Sequence, residues 1–158
     1  MTAYPKPSRR RKSTAARSRD QVNDVRAGVY LRDDHRCVVN GSIVGTRRPC
    51  SGPLTIQHAT GKGMGGSALF DSPELLRTMC LTHNTDQTSN ADFARWCLWF
   101  GWSLPRNRVD VQANRYPVRY PDGADYFLDH DYQKHLVSPS AAIAIRTEAH
   151  PHLLEEIS

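Results

Sequence analysis

Two groups of residues in this chain have types and spacing that can do chemistry. Cys37, Cys50, Cys80 and His83 form the first. Zinc takes four sulfur and nitrogen ligands in a tetrahedron, commonly as close pairs from separate segments. Cys80-x-x-His83 is such a pair, and Cys37 and Cys50, which flank a loop, would supply the rest. The same residues also read as buried thiols beside an unrelated surface histidine. His58 and Asn84 form the second group, one at a strand end and the other in the first turn of a following helix. A hard cation such as Mg²⁺ accepts a carboxamide oxygen and keeps several waters. Held there, it would steady charge while His58 takes a proton from an attacking water. The alternative for His58 is a hydrogen-bonded structural residue that braces its loop.

The stretch Leu54 to Ser67 carries the second group. Leu54-Thr55-Ile56 reads as a short strand ending at His58, followed by a loop with four glycines and Lys62. A strand end holds a side chain stiffly, and a Gly-rich loop lets backbone approach a phosphate closely. Lys62 is either a phosphate contact or a plain exposed lysine.

The elements that must position these residues follow from periodicity. Val22, Val25, Val29 and Tyr30 recur at helical spacing from Asp20 and end at Asp33-Asp34-His35. Cys37-Val38-Val39 reads as a short strand, and Asn40 to Pro53 as a loose loop. Ser72-Pro73-Glu74 is a helix start that predicts Leu75 and Leu76 in one helical turn. His83 to Trp99 predicts one helix with Phe93, Trp96, Cys97 and Phe100 on its core face, so Cys97 is expected as a buried thiol. Gly101 stops it, and Trp102-Ser103-Leu104 reads as extended. Pro117 to Tyr120 and Tyr126 to Asp129, joined through Asp122-Gly123, predict a β-hairpin. Ala141 to Ala149 is a weak helix signal in an otherwise mobile end.

Composition sets the outer bounds. The 158 residues are enough for one domain with a real core, and no apolar run reaches the ~20 residues of a membrane span. No apolar h-region follows Met1, so a secretory signal is not expected, and metal ligation suits the four cysteines better than disulfides. Seven of the 21 Lys and Arg lie in residues 1–19, which contain no acid. The remaining 14 face 16 Asp and Glu, so the net charge of +5 belongs to the arm. Such an arm is either a solvated leader or a contact for any polyanion, reached through counterion release. A transit peptide would need an apolar face that the arm lacks.

From Cys37 to Leu104, with the stretch just before it, the chain resembles the HNH endonucleases of bacteriophages, particularly those of actinobacterial hosts. The matching stretches are Tyr30 to Cys37, Gln57-His58 with Lys62 to Ser67, Leu76 to Asn84, and Ala91 to Arg95 through Gly101 to Leu104. The hairpin at Pro117 to Asp129 is also similar to the tail of that group. The resemblance implies an α+β, ββα-metal (HNH/His-Me finger) fold with structural zinc, an N-terminal helix and a C-terminal β-hairpin. Together with the charge and periodicity read above, it divides the chain into a basic arm at 1–19, a nuclease-like domain at 20–104, a hairpin extension at 105–130 and a mobile tail at 131–158. His58 would be the general base, Gln57 and Asn84 would bind a catalytic Mg²⁺ or Mn²⁺, and His83 would join the cysteines on zinc. DNA would be the partner, gripped by Arg9, Arg10, Arg11, Lys12, Arg47, Arg48 and Lys62 in the cytoplasm of an infected host. Phage packaging proteins are further candidate partners, and no membrane is involved.

The sequence departs from the family pattern at three motif positions. Gln57 stands where Asp, Glu or His is usual, and a neutral oxygen coordinates more weakly. Leu75 falls where an Asn normally pins the base-bearing loop, and Asn84 replaces the final His. The rival to an endonuclease is therefore a zinc-stabilised DNA-binding or packaging accessory protein on the same scaffold.

Overall fold

The computed structural model describes residues 19–39, 49–61, 68–105 and 114–153. The first element, α1 (Arg19–Arg32), carries Asp20 in its first turn and Arg32 in its last, both favourable to the helix dipole. It ends where Asp34 and His35 take φ of 55° and 51°. Asp and His enter that left-handed region more readily than most residues. The ring of His35 stacks on Tyr30. Cys37, Val38 and Val39 are buried, but they form a turn and not the expected strand. Val38 N–H donates to Thr78 O at 2.9 Å. A short apolar run signals burial without specifying backbone shape.

The organising unit is β1 (Leu54–His58) paired antiparallel with β2 (Leu76–Cys80), in register Leu54↔Cys80 through His58↔Leu76. The strand β2 runs straight into α2 (Leu81–Ser89). Here the structure corrects the expected helical turn at Leu75 and Leu76. The Ser72-Pro73-Glu74 signal yields a single 3-10 turn, Pro73–Leu75, after another at Ala68–Asp71. Leu76 is already extended (φ −109°, ψ 145°), and all five β2 residues are buried. Pairing with β1 outweighs the local helix start there.

The expected helix from His83 to Trp99 is two helices, α2 and α3 (Ala91–Trp99), divided at Asn90. Asn90 is extended and its side chain accepts Asp92 N–H and Phe93 N–H at 3.1 Å each, while its own N–H bonds Asp86 O. One residue thus closes one helix and caps the next. Phe93, Cys97 and Phe100 face the core as expected, with Trp96 partly buried. Gly101 has φ of 72°, and a Cβ there would lie 2.4 Å from Pro117 O. Trp102 to Leu104 is irregular, tied by Ser103 N–H to Cys97 O and Leu104 N–H to Ala59 O.

A second antiparallel sheet has the order β3 (Val118–Arg119), β4 (Asp125–Leu128), β5 (Lys134–Val137). The first two strands are the expected hairpin. The stretch read as a mobile tail contributes the unexpected β5, and the weak helix signal at Ala141 to Ala149 is borne out by α4 (Pro139–Ala149), which Ser138 caps. Arg146 of α4 is buried and donates two hydrogen bonds to Asp125, which Arg119 also grips at 2.9 Å twice. That contact ties residues 21 apart in sequence, which local periodicity does not reveal.

Both sheets share one core, in which Met79, Phe93, Cys97, Phe100, Trp102, Val118 and Leu128 are buried together. A buried polar clamp closes the other side. Tyr120 Oη donates to Asp33 Oδ1 at 2.6 Å, Asp33 accepts Thr78 N–H at 2.9 Å, and Arg32 donates to Asp33 and to the carbonyls of Pro73 and Leu76. Burial favours the neutral form of Asp33, but the attraction of Arg32 outweighs it and holds the carboxyl below its usual range. Among the described residues no helix is long and apolar enough to cross a membrane.

Candidate metal centre and strand-end histidine

Four segments converge at the start of α2. Cys37 comes from the turn after α1, Cys50 from the segment before β1, Cys80 from the last position of β2, and His83 from the first turn of α2. The first-turn N–H groups of α2 lack partners within the helix. Leu81 N–H and Thr82 N–H reach back to Pro53 O and Ser51 O, which draws the Cys50 segment onto the helix. Gly52 makes the turn with φ of 77°, pressed against Leu81.

All four donor atoms lie within 4.8 Å of one another. His83 Nδ1 is 3.4 Å from Cys37 Sγ, 3.5 Å from Cys50 Sγ and 3.2 Å from Cys80 Sγ. A neutral imidazole nitrogen has one lone pair, so three thiols cannot all be satisfied by hydrogen bonds to it. A tetrahedron with ordinary zinc bond lengths has S···N edges of roughly 3.5 Å. The donor set and its spacing fit a metal ion such as zinc, and this is the group of that kind found among the described residues. Burial first, and then the neighbouring thiols, push Cys50 upward, and burial does the same to Cys37. Thiolates crowded this way need a cation beside them. Cys97 stands apart as a buried thiol, as expected, also raised by burial.

His58 is the last residue of β1, and its Nε2 meets Asp71 Oδ1 at 2.9 Å. Both side chains are largely covered, at 21% and 15% exposure. Successive strand residues point to opposite faces. Thr55 and Gln57 share the face towards α2, where Asn84 Nδ2 donates to Thr55 Oγ1 at 3.0 Å. Gln57 Nε2 donates to Gln87 Oε1 at 2.7 Å, and Gln87 Nε2 to Asn84 Oδ1 at 3.1 Å. Ser103 Oγ also donates to Gln87 Oε1.

His58 and Asn84, expected at one cation, have separate hydrogen-bond partners. Asn84 joins Gln57 through Gln87, while His58 leaves the opposite face of the strand towards Asp71. Gln57 and Asn84, the pair named as cation ligands by the resemblance, are in one cluster. That cluster is built of carboxamides and hydroxyls, whereas Mg²⁺ is ordinarily held by one or two carboxylates. It fits a hard cation weakly, and a cation there would rely on further oxygens brought by a phosphodiester.

Leu75 takes up no polar role and packs with Ala59, Leu104 and Tyr116. Lys62, Arg47, Arg48, Arg9, Arg10, Arg11 and Lys12 lie outside the described residues. Sequence reasoning missed Asp71 and Gln87. Gln87 is three residues beyond Asn84, the spacing at which helix neighbours touch, so it was within reach. Asp71 carried no such signal, since its partner is 13 residues away through a loop. Comparison with known proteins leaves the site to speak for itself: no family model, no curated protein and no solved structure matches this chain.

Proposed function

We propose that this chain is a metal-dependent DNA endonuclease of the HNH type, hydrolysing phosphodiester bonds with His58 as general base. The observation that carries this reading is the β1–β2–α2 unit itself, with His58 on the last position of β1 and a Cys3His cluster gripping the β2–α2 junction. A structural zinc in that cluster would stiffen the junction without joining the chemistry. The acid-free basic arm read from residues 1–19 suits a DNA partner.

In this reading the imidazole removes a proton from water, the resulting hydroxide attacks phosphorus, and the P–O bond to the leaving nucleoside oxygen breaks. The leaving oxygen takes its proton from solvent. A divalent cation, when bound with DNA, would supply charge stabilisation, and Gln57 and Asn84 are the residues on this chain that would touch it. The test is plasmid nicking with Mg²⁺ or Mn²⁺. Wild type should nick, EDTA should stop it, and His58→Ala should lower the rate by about 10²–10⁴-fold while keeping the fold. Intact plasmid with wild-type protein sinks the reading.

A second reading is a zinc-stabilised accessory protein that binds DNA without cutting it. The all-carboxamide cluster of Gln57, Asn84 and Gln87 favours it, since such a cluster holds a hard cation poorly. Plasmid that is shifted in mobility yet left intact, by wild type and His58→Ala alike, identifies that case.

A further inference from the structure

We infer that Asp71 is the positioning residue for the imidazole of His58, an inference that rests on the endonuclease reading. An ionised carboxylate only accepts hydrogen bonds, so the His58 nitrogen facing it must carry the proton. At 2.9 Å the Nε2–H of His58 therefore points at Asp71 Oδ1. The lone pair of the neutral ring is then on Nδ1, and Nδ1 is the nitrogen that takes the proton from water. The contact sets both the tautomer and the direction of the base.

The frame around this pair is tied by backbone. Asp71 ends the 3-10 turn Ala68–Asp71, and the next residue, Ser72, accepts Leu75 N–H at 2.9 Å. Leu75 O in turn accepts Ala59 N–H at 2.8 Å, so the residue after His58 is bonded to the turn that follows Asp71. Pro73 O is held by the buried guanidinium of Arg32 at 2.7 Å. Neither side chain is a freely moving surface group, with exposures of 21% and 15%. Leu75 holds the loop through its backbone and its apolar packing, and its side chain has no polar atom to offer the ring. The two tasks are divided: Leu75 fixes the loop, and Asp71 aims the histidine.

The proton balance keeps Asp71 as a spectator in charge. The proton from water goes to Nδ1, the Nε2–H stays on the ring, and the imidazolium that forms is steadied by the Asp71 carboxylate. After the P–O bond breaks and the leaving oxygen is protonated by solvent, Nδ1 returns its proton to solvent.

The experiment uses the full chain loaded with zinc, in wild type, Asp71→Ala, Asp71→Asn and Asp71→Glu forms. Zinc content and thermal unfolding show that each is folded. ¹⁵N-labelled histidine gives the tautomer of His58 by NMR at one fixed pH, and plasmid nicking gives the rate. Wild type should show Nε2–H. Asp71→Asn can turn its amide N–H towards the ring and invert the tautomer, as in the Asp-to-Asn change of a serine protease triad, where about 10⁴-fold is lost. We expect losses on the order of 10²-fold or more in Asp71→Asn and Asp71→Ala. Asp71→Glu should recover part of the rate and the Nε2–H form. Unchanged nicking in Asp71→Ala overturns the inference, and so does a lowered rate with an unchanged His58 tautomer. If wild type leaves plasmid intact, the endonuclease reading falls by itself. The tautomer then decides separately whether Asp71 holds the ring: its loss in Asp71→Ala upholds the grip, and its persistence overturns it.

Discussion

Gln57 and His58 are neighbours in β1 whose side chains finish in different surroundings, Gln57 on Gln87 at 2.7 Å and His58 on Asp71 at 2.9 Å. The strand's alternation separates them, and each side then finds its own partners. One face of β1 presents a ring of neutral amides against α2. The other presents a histidine paired with a carboxylate. Under the endonuclease reading the proposed base and the proposed cation ligands can thus be altered independently, and the first prediction uses that separation.

Replacing Gln57 with Asp should add a strong oxygen ligand to the carboxamide cluster. In the nicking assay the Mg²⁺ concentration for half-maximal rate should fall by about tenfold or more. The His58 tautomer should stay as it is in wild type. An unchanged Mg²⁺ dependence would mean that no cation uses this cluster.

About one zinc per chain should be found by elemental analysis. Cys80→Ser should lose both metal and thermal stability, whereas Cys97→Ser should keep the metal. Because the cysteines must shed protons to bind, and burial raises Cys37 and Cys50 above the usual thiol range, zinc affinity should rise with pH. A competing chelator titrated at several pH values reads this directly. A fully folded preparation without metal would refute the four-ligand centre.

Acid should release the C-terminal sheet and α4. Burial favours neutral Asp125, but the hydrogen bonds and charges of Arg119 and Arg146 outweigh it and depress its carboxyl. A depressed carboxyl contributes stability that is fully present above the unfolded value of about 3.9 and is lost as pH falls through the folded value. Denaturant melts of wild type should therefore weaken below about pH 4. Asp125→Asn should flatten that slope. At neutral pH it should also be less stable by about 3–5 kcal/mol, because Arg146 is left charged and buried.

Two backbone-determined positions should be sensitive. Asn90→Ala removes the cap of α3 and should cost about 1 kcal/mol in chemical denaturation. Gly101→Ala should be worse, since its φ of 72° disfavours a side chain and an added Cβ would collide with Pro117 O. Failure to fold, or a loss well beyond that of Asn90→Ala, is the expected result.

Much of this architecture was legible in residue order. The start of α1, the strand ending at His58, the core stripe of α3, the stop at Gly101 and the hairpin across Asp122-Gly123 all carry local signals. The Cys and His residues also named a metal centre by type alone. What was misread has two causes, strand pairing and a helix cap. Leu76–Cys80 carries a helix-start signal just upstream yet becomes a strand, because β1 offers it five paired positions. Asn90 is a residue type favoured at helix N-caps, and its side chain accepts the N–H groups two and three residues on, so the division there is a local signal inside an otherwise helical pattern. Lys134 to Val137 is too short to declare itself until β4 lies beside it.

Residue order by itself determined which atoms are available: three thiols and an imidazole for a metal, a strand-end histidine, and amides at Gln57 and Asn84. Tertiary structure alone decided how they are grouped. Whether His58 meets Asn84 or Asp71 depends on which face of β1 each residue occupies and on where the loop after it is tied. Those are long-range contacts, and no local preference of the chain encodes them.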